Sequence, residues 1–208
     1  MERAGHGEIG LSATGIASAQ CRSGAADDGV RRGPPGDGAT DRALVCDARR
    51  GSRDAAAALF SRHWPAAWRA AFAVTGRRAL ADDVAQDAFE RAFAAIDRFD
   101  ERRPFAAWLH RIVVNRAIDL VRAERRLVGL DTAGGLEAAA ADDGGDGTAL
   151  RALAGLSPER RAVVVLRHLL GYTPPEIAVI LGLPVGTVNS RLGRAMTELR
   201  AQLEQAGD

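Results

Sequence analysis

The sequence predicts an all-α protein: two small helical domains joined by a flexible linker, the C-terminal one a helix-turn-helix. Three observations lead there. Apolar residues recur at helical spacing through two stretches, roughly 53–126 and 151–204, and no strand-like alternation persists. Between them lie Gly134-Gly135 and Asp142-Asp143-Gly144-Gly145-Asp146-Gly147, the composition of a flexible, negatively charged spacer. The last sixty or so residues then read as a helix, a short capped helix, a glycine-marked turn and a second helix rich in small polar and arginine side chains.

The expected organisation is a disordered tail over 1–42, rich in Gly, Ala, Ser and Asp, with Gly33-Pro34-Pro35-Gly36. A helical domain follows over 43–126, the linker over 127–150 and the helix-turn-helix domain over 151–205. In the first domain one helix runs from about Arg53 to Phe72, with a kink or break expected at Pro65. A second runs from about Leu80 to Arg98. Val84, Ala85, Ala88, Phe89, Ala92, Phe93 and Ile96 form its apolar stripe, and Asp83, Asp87 and Glu90 lie on its other face. A third begins near Pro104, with Phe105, Trp108, Leu109, Ile112, Val113 and Leu120 apolar and Arg111, Asn115, Arg122 and Arg126 on a polar side.

In the C-terminal domain Thr173-Pro174-Pro175-Glu176 has the form of a capping box, with proline in the first turn and Glu176 able to reach the free Thr173 amide. Gly182 suits a left-handed helix end. Beyond it Val188, Leu192, Met196 and Leu199 face inward, leaving Thr187, Asn189, Ser190, Arg191 and Arg194 outside or at the border. Asparagine and arginine can read adenine and guanine edges, and serine and threonine suit phosphates.

Composition sets limits. The net charge is +1, but it is unevenly spread: Arg49 to Arg126 holds 16 arginines against 10 acids, and Arg151 to Arg200 holds 7 against 3. Two basic blocks around an acidic spacer suit two separate nucleic-acid contacts. All 28 basic residues are arginine, which excludes a Walker lysine, a Schiff-base lysine and a lysine general base. No run of about 18 apolar residues could span a membrane, and the N-terminus lacks the basic start and apolar core of a signal peptide. Cys21 and Cys46 have no partner spacing for zinc, so a reduced cytoplasm is the simple expectation. No metal or cofactor is expected: His63 and His110 lack the carboxylate partners of a di-iron bundle.

Two clusters stay ambiguous on spacing alone. The acidic stripe of the second helix is either a solvated face or a docking face for a basic protein surface. The run Phe99-Asp100-Glu101-Arg102-Arg103-Pro104-Phe105 to Trp108 is either core aromatics beside a loop or a stacking and electrostatic platform for unpaired bases.

Three segments in order carry a resemblance: Ala81-Asp82-Asp83-Val84-Ala85-Gln86-Asp87-Ala88-Phe89; Phe99 to Arg122; and Leu156-Ser157-Pro158 with Glu176-Ile177-Ala178, Leu181-Gly182, Gly186-Thr187-Val188 and Ser190-Arg191-Leu192. Together they resemble bacterial RNA polymerase sigma factors of the extracytoplasmic-function class. The resemblance implies that Asp82, Asp83, Gln86, Asp87 and Phe89 dock on the clamp helices of the polymerase largest subunit. It implies that Phe99, Arg102, Arg103 and Phe105 belong to a loop capturing a flipped base of the −10 element. Trp108, Arg111, Asn115, Asp119 and Arg122 would lie on the helix that melts and reads that element. Thr187, Asn189, Ser190, Arg191 and Arg194 would read the −35 element. The implied partners are core RNA polymerase, including its beta flap, promoter DNA and an anti-sigma factor, with no enzymatic activity and a cytoplasmic location. Pro184, Asn189 and Gly193 depart from the family pattern in the last segment.

The implied spacer of about 17 base pairs is roughly 58 Å long. A linker over 127–150 reaches at most about 80 Å extended and averages ~27 Å as a free coil. It bridges the two elements only when drawn out, with Asp131, Asp142, Asp143 and Asp146 lying in a basic polymerase channel. The alternative reading is a stand-alone helix-turn-helix regulator of duplex operators, and a third is a helical metalloenzyme.

Overall fold

The computed structural model describes residues 38–128 and 146–206, all helical apart from short turns. The expected tail below residue 38, Cys21 and the linker acids Asp131, Asp142 and Asp143 lie outside the described residues. Eight α-helices follow in order: α1 Gly38–Arg49, α2 Arg53–Thr75, α3 Arg78–Ala94, α4 Phe105–Val128, α5 Asp146–Gly155, α6 Pro158–Val164, α7 Pro174–Leu181 and α8 Val185–Ala206. α1 starts inside the stretch read as tail, and α5 inside the stretch read as linker.

Local chemistry explains the boundaries. Ser52 caps α2 by accepting the Ala55 amide at 3.2 Å. Gly76, at φ 74°, ends α2 and returns its amide to the Phe72 carbonyl at 2.7 Å. Pro65 does not break α2. It lies on the exposed face beside exposed Ser61, so the carbonyl that loses its amide partner faces water. The helix read as Leu80 to Arg98 is in fact α3 followed by a separate 3₁₀ turn, Ile96–Arg98. α6 runs on into a π turn over Val165–Leu169, and the Tyr172 amide closes it on the Leu166 carbonyl at 3.0 Å. At α7, the Glu176 carboxylate accepts the Thr173 amide at 2.7 Å, as the capping pattern predicts. Gly182 ends that helix at φ 66°.

In the first block, α1 to α4 pack around Leu59, Ala67, Val84, Phe89, Phe105, Leu109 and Val113, all 2% exposed or less. In the second, α6 to α8 enclose Leu166, Ile177 and Val188. The two blocks share one continuous apolar core rather than standing apart. α4 packs directly against α6 and α7, and α2 against α6.

Three polar contacts stitch the blocks together. Arg161 of α6, 3% exposed, donates through Nη1 to the Val74 carbonyl of α2 at 2.6 Å. Its Nη2 donates to Ala154 and Leu156 carbonyls at 2.6 and 3.2 Å. His110 Nδ1 of α4 shares a 2.8 Å hydrogen bond with the Tyr172 hydroxyl, both side chains buried. Arg122 of α4 pairs with Glu159 of α6 at 2.5 Å. Cys46 is disulfide-bonded, where the sequence suggested free thiols.

Candidate functional site

α3 presents the acidic face that the sequence suggests. Ala81, Val84, Ala85, Ala88, Phe89 and Ala92 turn inward, leaving Asp82, Asp83, Gln86 and Glu90 exposed and Asp87 half-buried. The carboxylates are not equivalent. Asp82 accepts the Trp68 indole N–H at 2.6 Å. Asp87 bridges Arg91 of its own helix at 2.9 Å and Arg116 of α4 at 2.7 Å. Gln86 donates to Glu90 at 3.0 Å. Asp83 is exposed and makes no ion pair among the described residues. Phe89 is 2% exposed and packs on Phe60, Trp64 and Phe93, so it fixes α3 from beneath.

The loop from Phe99 to Pro104 and the length of α4 form the second surface. Phe99 and Phe105 are 6% and 2% exposed, and half-buried Trp108 packs on both, at 5.0 and 5.8 Å between ring centroids. Arg102 and Arg103 are exposed on the loop. The aromatic cluster is thus mainly a floor, and the arginines form the rim. Along α4 the residues Arg111, Asn115, Asp119 and Arg122 are all exposed, at spacings of four, four and three. Helical periodicity puts them in one stripe, while Leu109, Val113, Ala117 and Val121 bury the opposite side. Arg122, at one end of the stripe, is engaged by Glu159. Burial pulls the Glu159 carboxyl up, but its own backbone amide, Arg122 and Ser157 outweigh this and hold it below the usual carboxylate value.

The third surface is the outer side of α8. Val188 is fully buried and Leu192, Met196 and Leu199 are partly buried, as the periodicity predicts. Asn189, Ser190 and Arg194 are exposed, and Thr187 and Arg191 sit at the border. Pro184 precedes the helix, and its carbonyl accepts the Thr187 amide at 3.0 Å. Gly193 has open space where a Cβ would point. A capped helix, a left-handed glycine and a second helix carrying exposed Asn and Arg side chains make a DNA-reading hairpin.

Sequence periodicity found all three faces. It missed the contacts between blocks, made by Arg161, His110 and Tyr172, and the tie of Trp68 to Asp82. It also missed Asp41, which is 5% exposed and pairs with Arg62 at 2.7 Å and His63 at 2.8 Å. Asp41 falls within the stretch read as tail, and its partners lie more than 20 residues away, so local pattern carried no signal. Among the described residues no group of three or more His, Cys, Asp and Glu side chains is placed to hold a metal ion, and no helix is long and apolar enough to cross a membrane.

An all-helical chain with an acidic outer face, a polar stripe beside an aromatic-floored, arginine-rimmed loop and a terminal helix-turn-helix has the form of a DNA-engaging transcription protein. Comparison with known proteins makes this specific. The Sigma-70 region 2 family matches residues 59–127 and the Sigma-70, region 4 family matches 147–199. The RNA polymerase sigma factor CnrH of Cupriavidus metallidurans is 38% identical over 180 residues, spanning 79% of this chain and 94% of that protein. The ECF RNA polymerase sigma factor SigL of Mycobacterium tuberculosis is 35% identical over 158 residues, 72% of this chain and 89% of its own. Among solved structures, CnrH in complex with the cytosolic domain of CnrY superposes with a TM-score of 0.63 at 35% identity, covering 80% of this chain and 98% of that one. The chain belongs to the sigma-70 family of RNA polymerase sigma factors, in its extracytoplasmic-function class. It directs core RNA polymerase to promoters and so initiates transcription.

Proposed function

We propose that the three surfaces divide this work. The acidic face of α3, with Asp82, Asp83, Gln86 and Asp87 outermost and Phe89 behind them, docks on the polymerase clamp helices. The 99–105 loop and α4 capture and melt the −10 element through Phe99, Arg102, Arg103, Phe105, Trp108, Arg111, Asn115, Asp119 and Arg122. α8 reads the −35 element through Thr187, Asn189, Ser190, Arg191 and Arg194, while the same domain meets the beta flap. The observation that carries this reading is the exposed stripe of α4, Arg111, Asn115, Asp119 and Arg122, on the helix that follows directly on the arginine-bearing loop. The protein works in the cytoplasm, has no catalytic activity of its own and is held in check by an anti-sigma partner. Support for the partner comes from relatives: CnrH is seen with CnrY, and the sigma factor RpoE of Bartonella quintana, 26% identical, with the anti-sigma factor NepR.

The packed arrangement bears on mechanism. Promoter elements roughly 58 Å apart need two separate grips, yet α4 and α6 are joined through Arg122–Glu159 and a shared core. Binding energy from polymerase and both elements therefore has to offset the breaking of these contacts. Transcription in vitro with core polymerase on a randomised promoter library tests the whole reading. Start sites that depend on the chain and share two spaced elements support it. Tight duplex binding by the chain alone, without polymerase-dependent initiation, would favour the operator-binding regulator instead.

Two variants test the division of labour. Asp83→Ala combined with Asp87→Ala is expected to weaken core-polymerase binding about tenfold and leave −35 duplex binding by the chain unchanged. Asp83→Ala alone controls for the Asp87–Arg116 tie between α3 and α4. Loss of both activities, or of neither, rules out this docking face. Trp108→Ala is expected to reduce open-complex formation, read by permanganate reactivity of unpaired thymines, more than closed-complex binding. Equal losses would make the tryptophan a packing residue only.

A further inference from the structure

A cleft of about 140 Å³ lies between the start of α1 and the 99–105 loop. Its α1 wall, Asp41 and Arg42, lies outside the residues matched to either family, while the loop wall lies within the region 2 match. Its make-up is layered. Phe99 and Phe105 lie beneath it, both buried. Arg42, Arg102 and Arg103 stand around its mouth, all exposed. Asp41 also lines it and is 5% exposed. The other carboxylate in the lining, Glu101, is engaged by Arg49.

Asp41 is held rigidly. Its Oδ1 accepts Arg62 Nη1 at 2.7 Å and its Oδ2 faces His63 Nε2 at 2.8 Å. Burial, partly offset by Asp41 itself, lowers the His63 pKa. An ionised carboxylate accepts at about four lone-pair positions, and Arg62 and His63 occupy one on each oxygen. The remainder give a desolvated acceptor, with no donor capacity, beside a cationic rim.

That chemistry suits an extruded nucleobase with its flanking phosphates on the arginines. Cytosine, adenine and guanine carry exocyclic amino donors, whereas thymine offers one imide N–H between two carbonyl acceptors that would face the carboxylate unfavourably. We propose that Asp41 is a specificity-determining residue of the −10 interaction: it accepts a hydrogen bond from the amino group of the captured base and disfavours thymine there, while Arg42 joins Arg102 and Arg103 on the adjoining phosphates. This rests on the promoter-melting role assigned to the 99–105 loop. It adds α1 as a wall of the base site.

A buried polar group left unpaired by the wrong partner is a strong discriminator. The test uses holoenzyme formed from core polymerase and the full chain, with single-stranded non-template oligonucleotides carrying each base in turn at each −10 position. The wild-type chain is expected to disfavour thymine about tenfold at one position. Asp41→Asn, whose amide both donates and accepts, should bring the four bases to within about twofold there. A second arm leaves the protein untouched: the preferred base is replaced by its analogue lacking the exocyclic amine, 2-pyrimidinone for cytosine, purine for adenine or hypoxanthine for guanine. Wild-type binding should fall by a similar factor. If Asp41→Asn fails to fold by circular dichroism, this arm decides alone. Discrimination against thymine that survives Asp41→Asn, no such discrimination at any position, or indifference to the missing amine overturns the inference. A wild-type holoenzyme that binds no −10 strand at all would instead overturn the underlying assignment of the loop.

Discussion

Replacing Arg161 with alanine is expected to lower the stability of the folded chain by about 2–3 kcal/mol and to let the two helical blocks part. The side chain is 3% exposed and donates to three backbone carbonyls, one of them on α2 in the other block. Charge-assisted bonds of this kind are stronger than neutral ones, and their removal leaves buried carbonyls short of a donor. The continuous core predicts a single cooperative urea transition for the described part of the wild-type chain. Arg161→Ala should move the midpoint down and split or broaden the transition. A spectroscopic ruler between exposed positions on α2 and α8 should lengthen, with helix content by circular dichroism retained. Arg161→Met, which keeps the apolar stem, separates lost hydrogen bonds from lost packing. An unchanged ruler distance would show that the contact to Val74 does not hold the blocks together. The functional consequence is opposite in sign to the loss of stability: a chain already open has less to break on promoter engagement and should assemble with polymerase and DNA faster.

The reason these residues escaped sequence reading is physical. A repeat of 3.6 residues reports which face of a helix is buried, and it did so for α3, α4 and α8. It does not report what buries that face. In α4, His110 sits between Leu109 and Arg111 and reads as a polar residue at an apolar border. Its partner, Tyr172, lies 62 residues on, past the linker. Arg161 follows Arg160 in a run that looks like a solvated first turn; one of the pair reaches inward to Val74 and the other outward to Glu198. Nothing in the local pattern distinguishes them. Pro65 shows the converse. Its residue type argues for a break, and tertiary context overrides that because the face concerned meets only water. The three candidate faces were legible because each is a continuous surface of one helix or loop. The cleft beside α1 was not, because it needs a wall from a segment whose composition resembles a tail.

The second large effect is on pH. Burial drives the His110 pKa down to about 3, with a smaller contribution from His63, so the ring stays neutral in the folded chain. In the unfolded chain it titrates near 6.5. Between these values the unfolded state binds more protons, so stability is fully present above about pH 6.5 and falls as the pH drops toward 3. At pH 5 the loss from this one residue is about 2 kcal/mol relative to neutral pH. His63, also lowered by burial, acts in the same direction. Glu159, whose carboxyl is held below its ordinary value, adds a further loss only below about pH 4.5, so between pH 6.5 and 4.5 the histidines act without it and below 4.5 the losses overlap. His110→Asn keeps a polar group near the Tyr172 hydroxyl and cannot titrate. It should make the stability profile shallower from pH 6.5 downward, leaving the His63 contribution and, below about pH 4.5, that of Glu159. Urea midpoints measured at half-unit steps check this. Because His110 meets Tyr172 where the two blocks join, the same acidification should lengthen the ruler between α2 and α8 in the wild-type chain and not in His110→Asn. A slope identical in the two chains would place the acid sensitivity elsewhere, first at the His63–Asp41 pair.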